Sequence, residues 1–316
     1  MIFAVRGLGV SLSFFLFLYG LISFVAVHAW RSIARLGICL AARHRSDLLF
    51  IIRTLPLITA SIITLAFVLP SFILLEPRTV SEPIGEVPLS LGACCLLLVG
   101  IGLWRGVGAL RRSARNVARW LQGATPAGCY PVPLFRIQAS VPALTVAGVR
   151  TPLVLLSRAA ASLLNREELE RALQHEIVHI RRRDNLKKLL FRCCPFPGMA
   201  PLEAAWSEAA EMAADDGAVS NSSQALDLAS ALIKLSRFAA AQAPAGIANA
   251  LVQTSGSSLN ARIERLVAWK DQHTDKPSSY SHWYAAPAFA LALLFAVSCY
   301  DSTLVRIHQL TEWLVR

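Results

Sequence analysis

Long apolar runs separated by short clusters of arginine set the pattern of this chain. Apolar residues continue almost unbroken over about 8–30, 48–75 and 87–104, and again over 283–300 after a long polar interval. A membrane-spanning helix needs about 20 mostly apolar residues, so each run predicts a transmembrane helix. The first run is longer than the apolar region of a cleaved signal peptide, and cleavage at the "VHA" before Trp30 would leave a basic loop outside; it reads as an uncleaved anchor. Arg53 lies near the start of the second run, where a long side chain is expected to snorkel to the interface.

Between the third and fourth runs the pattern changes. Over 105–122 the arginines alternate with Val107, Leu110, Val117, Trp120 and Leu121, which predicts a helix leaving the membrane with its basic face towards lipid headgroups. The Pro/Gly-rich stretch "GATPAGCYPVP" breaks it. Short β-rich stretches at 135–140, 144–147 and 153–157 predict three strands, one at an edge where an extended peptide could pair. The segment "NREELERALQHEIVHIRRRDNLKKLLF" predicts one helix, opened by a capping box of Asn165 and Glu168 and closed near "CCPFPG". Further helices are expected at about 201–219, 225–240 and 260–270.

The expected fold is a mainly α membrane protein with four transmembrane helices. Three spans (1–104) precede an α+β domain over 105–282 that carries a small sheet; one span (283–300) follows it, then a short amphipathic tail (301–316).

Composition supports a membrane protein: 55% of the 316 residues are hydrophobic, 16% are charged, and the mean hydropathy is +0.50. Soluble domains carry roughly a quarter charged residues. The net charge of +11 would also suit nucleic acid, but its placement argues otherwise. Arg31, Arg35, Arg43 and Arg45 follow the first span against Asp47 alone. Glu76, Glu82 and Glu86 follow the second against Arg78. Arg105, Arg111, Arg112, Arg115 and Arg119 follow the third without an acid among them. Basic, acidic, basic reads as inside, outside, inside. The N-terminus and the tail are then outside and 105–282 is cytosolic, next to anionic lipid, with no direct nucleic-acid binding expected. The cysteines form no CxxC pair, so buried apolar thiols are expected rather than a disulfide framework.

The candidate chemistry lies in "QHEIVHIRRRDN". His175 and His179 are i and i+4, which projects both imidazoles from one helix face at the spacing that holds a tetrahedral zinc ion. Glu176 can reach the remaining, water-filled position as general base, where zinc would lower the water's pKa and polarise a carbonyl. Such a pattern also occurs by chance on surface helices. A third ligand is required, and "SEAAEMAADDGAV" places Glu208, Glu211 and Asp215 along one helix face. Only one acid is needed at the metal; Glu211 and Asp215 are themselves i and i+4, so Asp215 could hydrogen-bond a ligating histidine.

Three stretches, "ALQHEIVHIRRRDN", "EMAADDGAV" and "LNARIERL", together resemble the peptidase unit of the BlaR/MecR-type membrane zinc metallopeptidases, and "AGVRTPLVLLS" is similar to that family's approach to the zinc helix. The resemblance covers roughly 135–270. It implies a gluzincin-like endopeptidase at the cytosolic surface of a bacterial cell membrane, with one zinc ion per chain. His175, His179 and Glu211 would be the ligands, Glu176 the base and Asp215 the support of a ligand; Asp184 would be structural, and Glu208 is the alternative ligand. The implied substrate is a cytosolic protein such as a transcriptional repressor. The family's sensors carry a penicillin-binding domain after the fourth span, where this chain has about 16 residues beyond Tyr300, and Ala214 stands where the family has Cys. Two other readings compete: a housekeeping peptidase of the HtpX/CAAX-protease kind, and a non-catalytic signal transducer.

Overall fold

The computed structural model describes residues 2–35, 40–77, 85–129, 132–138, 143–242, 248–269 and 300–315. Three helices are long and apolar enough to cross a membrane, within Phe3–Ser32, Ala42–Leu75 and Glu86–Leu121. The expected span at 283–300 lies outside the described residues except for Tyr300.

The first helix, α1, is Ile2–Arg35. The second crossing begins as α2 (Ala42–Ile63), passes through a π-helical turn at Thr64–Val68 and ends as α3 (Leu69–Leu75). A π turn inserts where the regular hydrogen-bond ladder is interrupted, and Pro70 interrupts it here: having no N–H, it cannot bond the carbonyl of Ala66. The Tyr300 hydroxyl donates to that carbonyl instead, at 2.7 Å. Tyr300 opens a C-terminal helix (Tyr300–Val315, α11 below) that buries Leu304 and packs on α3 and the π turn.

The third crossing, α4 (Glu86–Leu121), is one unbroken helix, so the boundary expected at 104/105 falls inside it. Its last turns bury Val117, Trp120 and Leu121 against a sheet. That sheet has four strands rather than three: β1 (Thr125–Cys129), β2 (Pro133–Ile137), β3 (Leu144–Ala147) and β4 (Leu153–Ser157), in the order β1-β2-β4-β3. The unexpected β1 lies in the Pro/Gly-rich break and pairs antiparallel with β2 across an irregularity between Pro126 and Gly128. Glycine and proline mark such an edge strand as a turn when only composition is read. The central strand β4 runs parallel to β2 and antiparallel to β3. Its alternating side chains serve two layers: Val154 and Leu156 pack with Leu173, while Leu155 packs with Ile137 over the end of α4.

A short helix, α5 (Arg158–Leu163), leads to α6 (Arg166–Arg181), where the capping box forms in full: the Asn165 side chain accepts from the Glu168 amide at 2.7 Å, and the Glu168 carboxylate accepts from the Asn165 amide at 2.9 Å. The single helix expected onwards is in fact two. Arg183 adopts a left-handed φ of 55° and starts α7 (Asp184–Cys193) in a new direction. Then follow α8 (Ala200–Ala218), α9 (Ser222–Gln242) and α10 (Ala248–Val267).

The sheet-bearing region is packed onto the spans where α1 ends and α2 begins. Trp206, Leu202, Ala209 and Ala210 of α8 join Leu49 of α2 and Ala26 of α1 in one buried cluster. Arg53 does not snorkel: it is 1% exposed and donates to Glu203 of α8 at 2.9 Å and to the carbonyl of Cys194 at 2.5 Å. Carbonyls at a helix C-terminus have no intrahelical donor, so the end of α7 supplies acceptors for a guanidinium that α8 covers. Close approach of α7 to α4 depends on Gly102 and Gly106, where a Cβ would collide with the carbonyl and thiol of Cys193. The thiols of Cys94, Cys95, Cys193 and Cys194 are free.

Candidate metal centre

Two helices build the site. α6 presents His175 and His179 one turn apart, and α8 crosses it close enough that a Cβ on Gly217 would meet Val178. That crossing brings Glu211 opposite the imidazoles. His175, His179 and Glu211 each offer one ligand atom within 4.8 Å of the others, a group that could hold a metal ion. The two Nε2 atoms face each other at 3.2 Å, and each lies 3.5 Å from an oxygen of Glu211. Glu208, one turn earlier on α8, is half-buried and not part of this group.

The opposite nitrogens are held from behind. His179 Nδ1 donates to Asp184 Oδ2 at 2.7 Å, and His175 Nδ1 lies 3.0 Å from Asp215 Oδ1, outside hydrogen-bond geometry. A carboxylate behind each ring sets the tautomer that turns Nε2 inward. Asp184 reaches His179 only because the chain breaks at Arg183. On a continuous helix, residues five apart point roughly 140° away from each other. Asp184 is thus more than structural support for the helix, and its own shell contains Lys187 at 3.8 Å and Arg182 at 3.9 Å.

Arg262 of α10 completes the cluster, and its part was not read from the sequence. Its Nε and Nη2 donate to the two oxygens of Asp215, both at 2.7 Å, while Nη1 lies 3.1 Å from Glu211 Oε2. Within "LNARIERL" the two arginines, Arg262 and Arg265, were the only available signal, and Arg265 pairs with Asp216 instead. The neighbouring arginines of the motif have other tasks: Arg182 donates to Ser46 and Asp47 of α2, and Arg183 lines a cleft beside His179.

Electrostatics follow from this packing. Burial disfavours charge on every member, but the partners override it. For His179, burial lowers the pKa, yet the contacts with Asp184 and Glu211 push it up to about 9. His175 also moves upward, through Asp215 and Glu211 acting against burial. Burial would raise Glu211, but the two histidines hold its carboxyl well below the usual range. Arg262 and His175 do the same for Asp215. The half-buried Glu176 follows His175 directly, and its charge is felt at both His179 and Arg262.

Two imidazole nitrogens and one carboxylate, with both Nε2 atoms converging and a carboxylate behind each ring, make a donor set that fits a borderline divalent ion. Beside it, a cleft of about 490 Å³ runs between His179, Ile180 and Arg183 on one side and Val146, Gly148 and Pro152 on the other. Val146 and Gly148 place it at the outer edge of β3, where Asn185 donates to the Val146 carbonyl at 3.4 Å. Comparison with protein-family models, curated proteins and solved structures gives no match for this chain.

Proposed function

We propose that this protein is a membrane-bound zinc endopeptidase with a gluzincin-like site, related in kind to the BlaR/MecR-type peptidase unit, that cuts a cytosolic protein such as a transcriptional repressor. The observation that carries the reading is the convergence of His175 Nε2 and His179 Nε2, from the HExxH stretch of α6, with a Glu211 oxygen from α8, within 4.8 Å. Zinc held by these three residues supplies Lewis acidity towards a water and a peptide carbonyl.

The chain's own residues do the remaining work. Glu176 accepts the proton of the attacking water at its carboxylate and delivers it to the leaving amine, which needs a base next to the metal but not bound to it. Asp184 and Asp215 keep His179 and His175 oriented, and Arg262 holds Asp215 and Glu211 together. The outer edge of β3 offers an extended substrate the backbone groups that Asn185 does not already engage, and the cleft beside His179 receives a side chain. The inside-positive arginine pattern supports a cytosolic site, with the N-terminus and tail outside a bacterial inner membrane. A fourth span at 283–300 belongs to the same proposal.

The test is metal analysis of the purified full chain together with a cleavage assay on candidate cytosolic proteins. About one zinc per chain is expected, with cleavage lost in Glu176→Gln while zinc is retained. Cleavage undiminished in Glu176→Gln, or a chain that takes up no zinc, would overturn the reading.

A further inference from the structure

A second cavity, of about 390 Å³, lies between α4 and α7 at the end of β3 and shares Val146, Gly148, Val149 and Asn185 with the cleft beside the metal centre. Arg112, Lys188 and Arg192 line it together with Asn116 and Ser113, and no acid does. Among the described residues these three cations make no ion pair, whereas Arg53, Arg182, Arg262 and Lys187 all do. Leu110, Leu189 and Trp120 supply an apolar wall. Uncompensated cations beside apolar surface make a site for an amphiphilic anion, and a fork of guanidinium and amide donors suits phosphate in particular.

The depth of the cavity selects the anion. Trp104 is 77% exposed on α4, at the position where an aromatic side chain marks the membrane interface. The Arg112 side chain folds back along its helix: a Cβ on Gly108 would lie 3.3 Å from its Nη1. Gly108 is one turn beyond Trp104, roughly 6 Å along the axis. The headgroup layer on each side of a bilayer is itself roughly 5–8 Å thick. Arg192 is next to Cys193, which seats on Gly102 and Gly106, the glycines that flank Trp104 on α4. Cations at this depth meet lipid phosphates before they meet a soluble protein.

We propose that this cavity binds the phosphate-bearing headgroup of an anionic membrane lipid, clamped between Arg112 of α4 and Lys188 and Arg192 of α7. The site bears on the metal centre through two connections. α7 opens with Asp184, the partner of His179, carries Lys188 one turn later and ends beside Arg192. Asn185 lines both cavities and donates to the carbonyl of Gly148 at 3.1 Å, tying the end of β3 to α7. A bound headgroup therefore fixes the element that orients a metal ligand. The proposal rests on the membrane placement of the spans and not on hydrolysis.

The experiment is native mass spectrometry of the full chain in non-ionic detergent, titrated with phosphatidylglycerol, phosphatidylcholine or inorganic phosphate. The wild type is expected to retain one phosphatidylglycerol in preference to phosphatidylcholine. Arg112→Gln/Lys188→Gln/Arg192→Gln should weaken that binding by about tenfold or more, and Lys188→Gln alone by about fivefold. All three side chains are exposed, so the folded state tolerates the changes. Removing the same charge from exposed sites elsewhere, as Arg158→Gln/Arg166→Gln/Arg237→Gln, should leave binding unchanged. Equal weakening by both triple variants, or by neither, would overturn the site. Displacement of the lipid by inorganic phosphate at far lower concentration would assign the cavity to a free phosphate compound and overturn the lipid. Lost lipid binding with cleavage intact defeats this proposal alone; absent cleavage with lipid binding intact defeats only the peptidase reading.

Discussion

Replacing Asp184 by asparagine separates charge from shape behind His179. In the metal-free protein, the shift of this imidazole from 6.5 to about 9 corresponds to about 3 kcal/mol of preference for the charged form. After burial, which acts against it, the hydrogen bond to Asp184 is the largest contribution. A metal ion binding at pH 7 has to displace that proton, which lowers its apparent affinity by about two decades. Above pH 9 the proton is gone and Asp184 acts only in favour of the metal, by fixing the Nδ1–H tautomer and raising the basicity of Nε2. Loss of such a partner costs about 10- to 100-fold in affinity. Asp184→Asn should therefore bind zinc about 10- to 100-fold more weakly at pH 9.5 and close to wild type at pH 7. The slope of log affinity against pH across that window should fall by about one proton. Competition against a chromophoric chelator, on the full chain in detergent from pH 7 to 9.5, reads this directly. Parallel curves for the two proteins would refute the role assigned to Asp184.

Other consequences are measurable on the same preparation. His179 has a folded pKa above its unfolded value, so its stabilisation of the metal-free protein is complete below pH 6.5 and lost as pH rises through about 9. Asp215, held low, contributes above the ordinary carboxylate range and loses its contribution on acidification. Melting temperatures of metal-stripped protein should fall across the alkaline window while zinc-loaded protein holds, and a flat profile for both would contradict the cluster. Arg53→Met leaves the Glu203 carboxylate without its guanidinium partner and should cost about 2 kcal/mol, less than a fully buried pair because Glu203 is 37% exposed. Unchanged denaturant resistance in detergent would show that Arg53 does not hold α2 to the sheet-bearing region. Gly102→Ala, which drives a methyl into the Cys193 carbonyl, should cost about 1–3 kcal/mol by separating α7 from α4.

What the sequence made legible depended on the range of the interactions involved. Three of the four expected spans appear as helices long and apolar enough to cross a membrane, and the capping box at Asn165 and Glu168 forms; both follow from composition and local spacing. The i, i+4 spacing of His175 and His179, and the acids of α8, likewise bring the right residue types together, because helix geometry alone puts them on one face. The break at Arg183 was hidden because arginine carries no turn signal and its left-handed φ is imposed by packing. With it went the contact between Asp184 and His179. Arg262 was out of reach for another reason: 47 residues separate it from Asp215, and no periodicity links an arginine on α10 to an aspartate on α8. Arg53 was misplaced because snorkelling assumes lipid around the helix, whereas α8 covers that side of α2.

The same burial of Arg53 bears on how the site and the membrane are related. α8 presents Glu211 and Asp215 near its end, and earlier in the same helix it places Glu203, Leu202 and Trp206 against α2. A rigid helix cannot shift its first turns on α2 without moving Glu211 against the imidazoles. α7 repeats the arrangement: its last residues seat on Gly102 and Gly106 of α4, and its first residue holds His179. Each half of the candidate centre is thus one helix length from a contact with a different span. Relative motion of α2 and α4 in the membrane would change the alignment of Glu211 with the two histidines, through α8 on one side and through the Asp184–His179 hydrogen bond on the other.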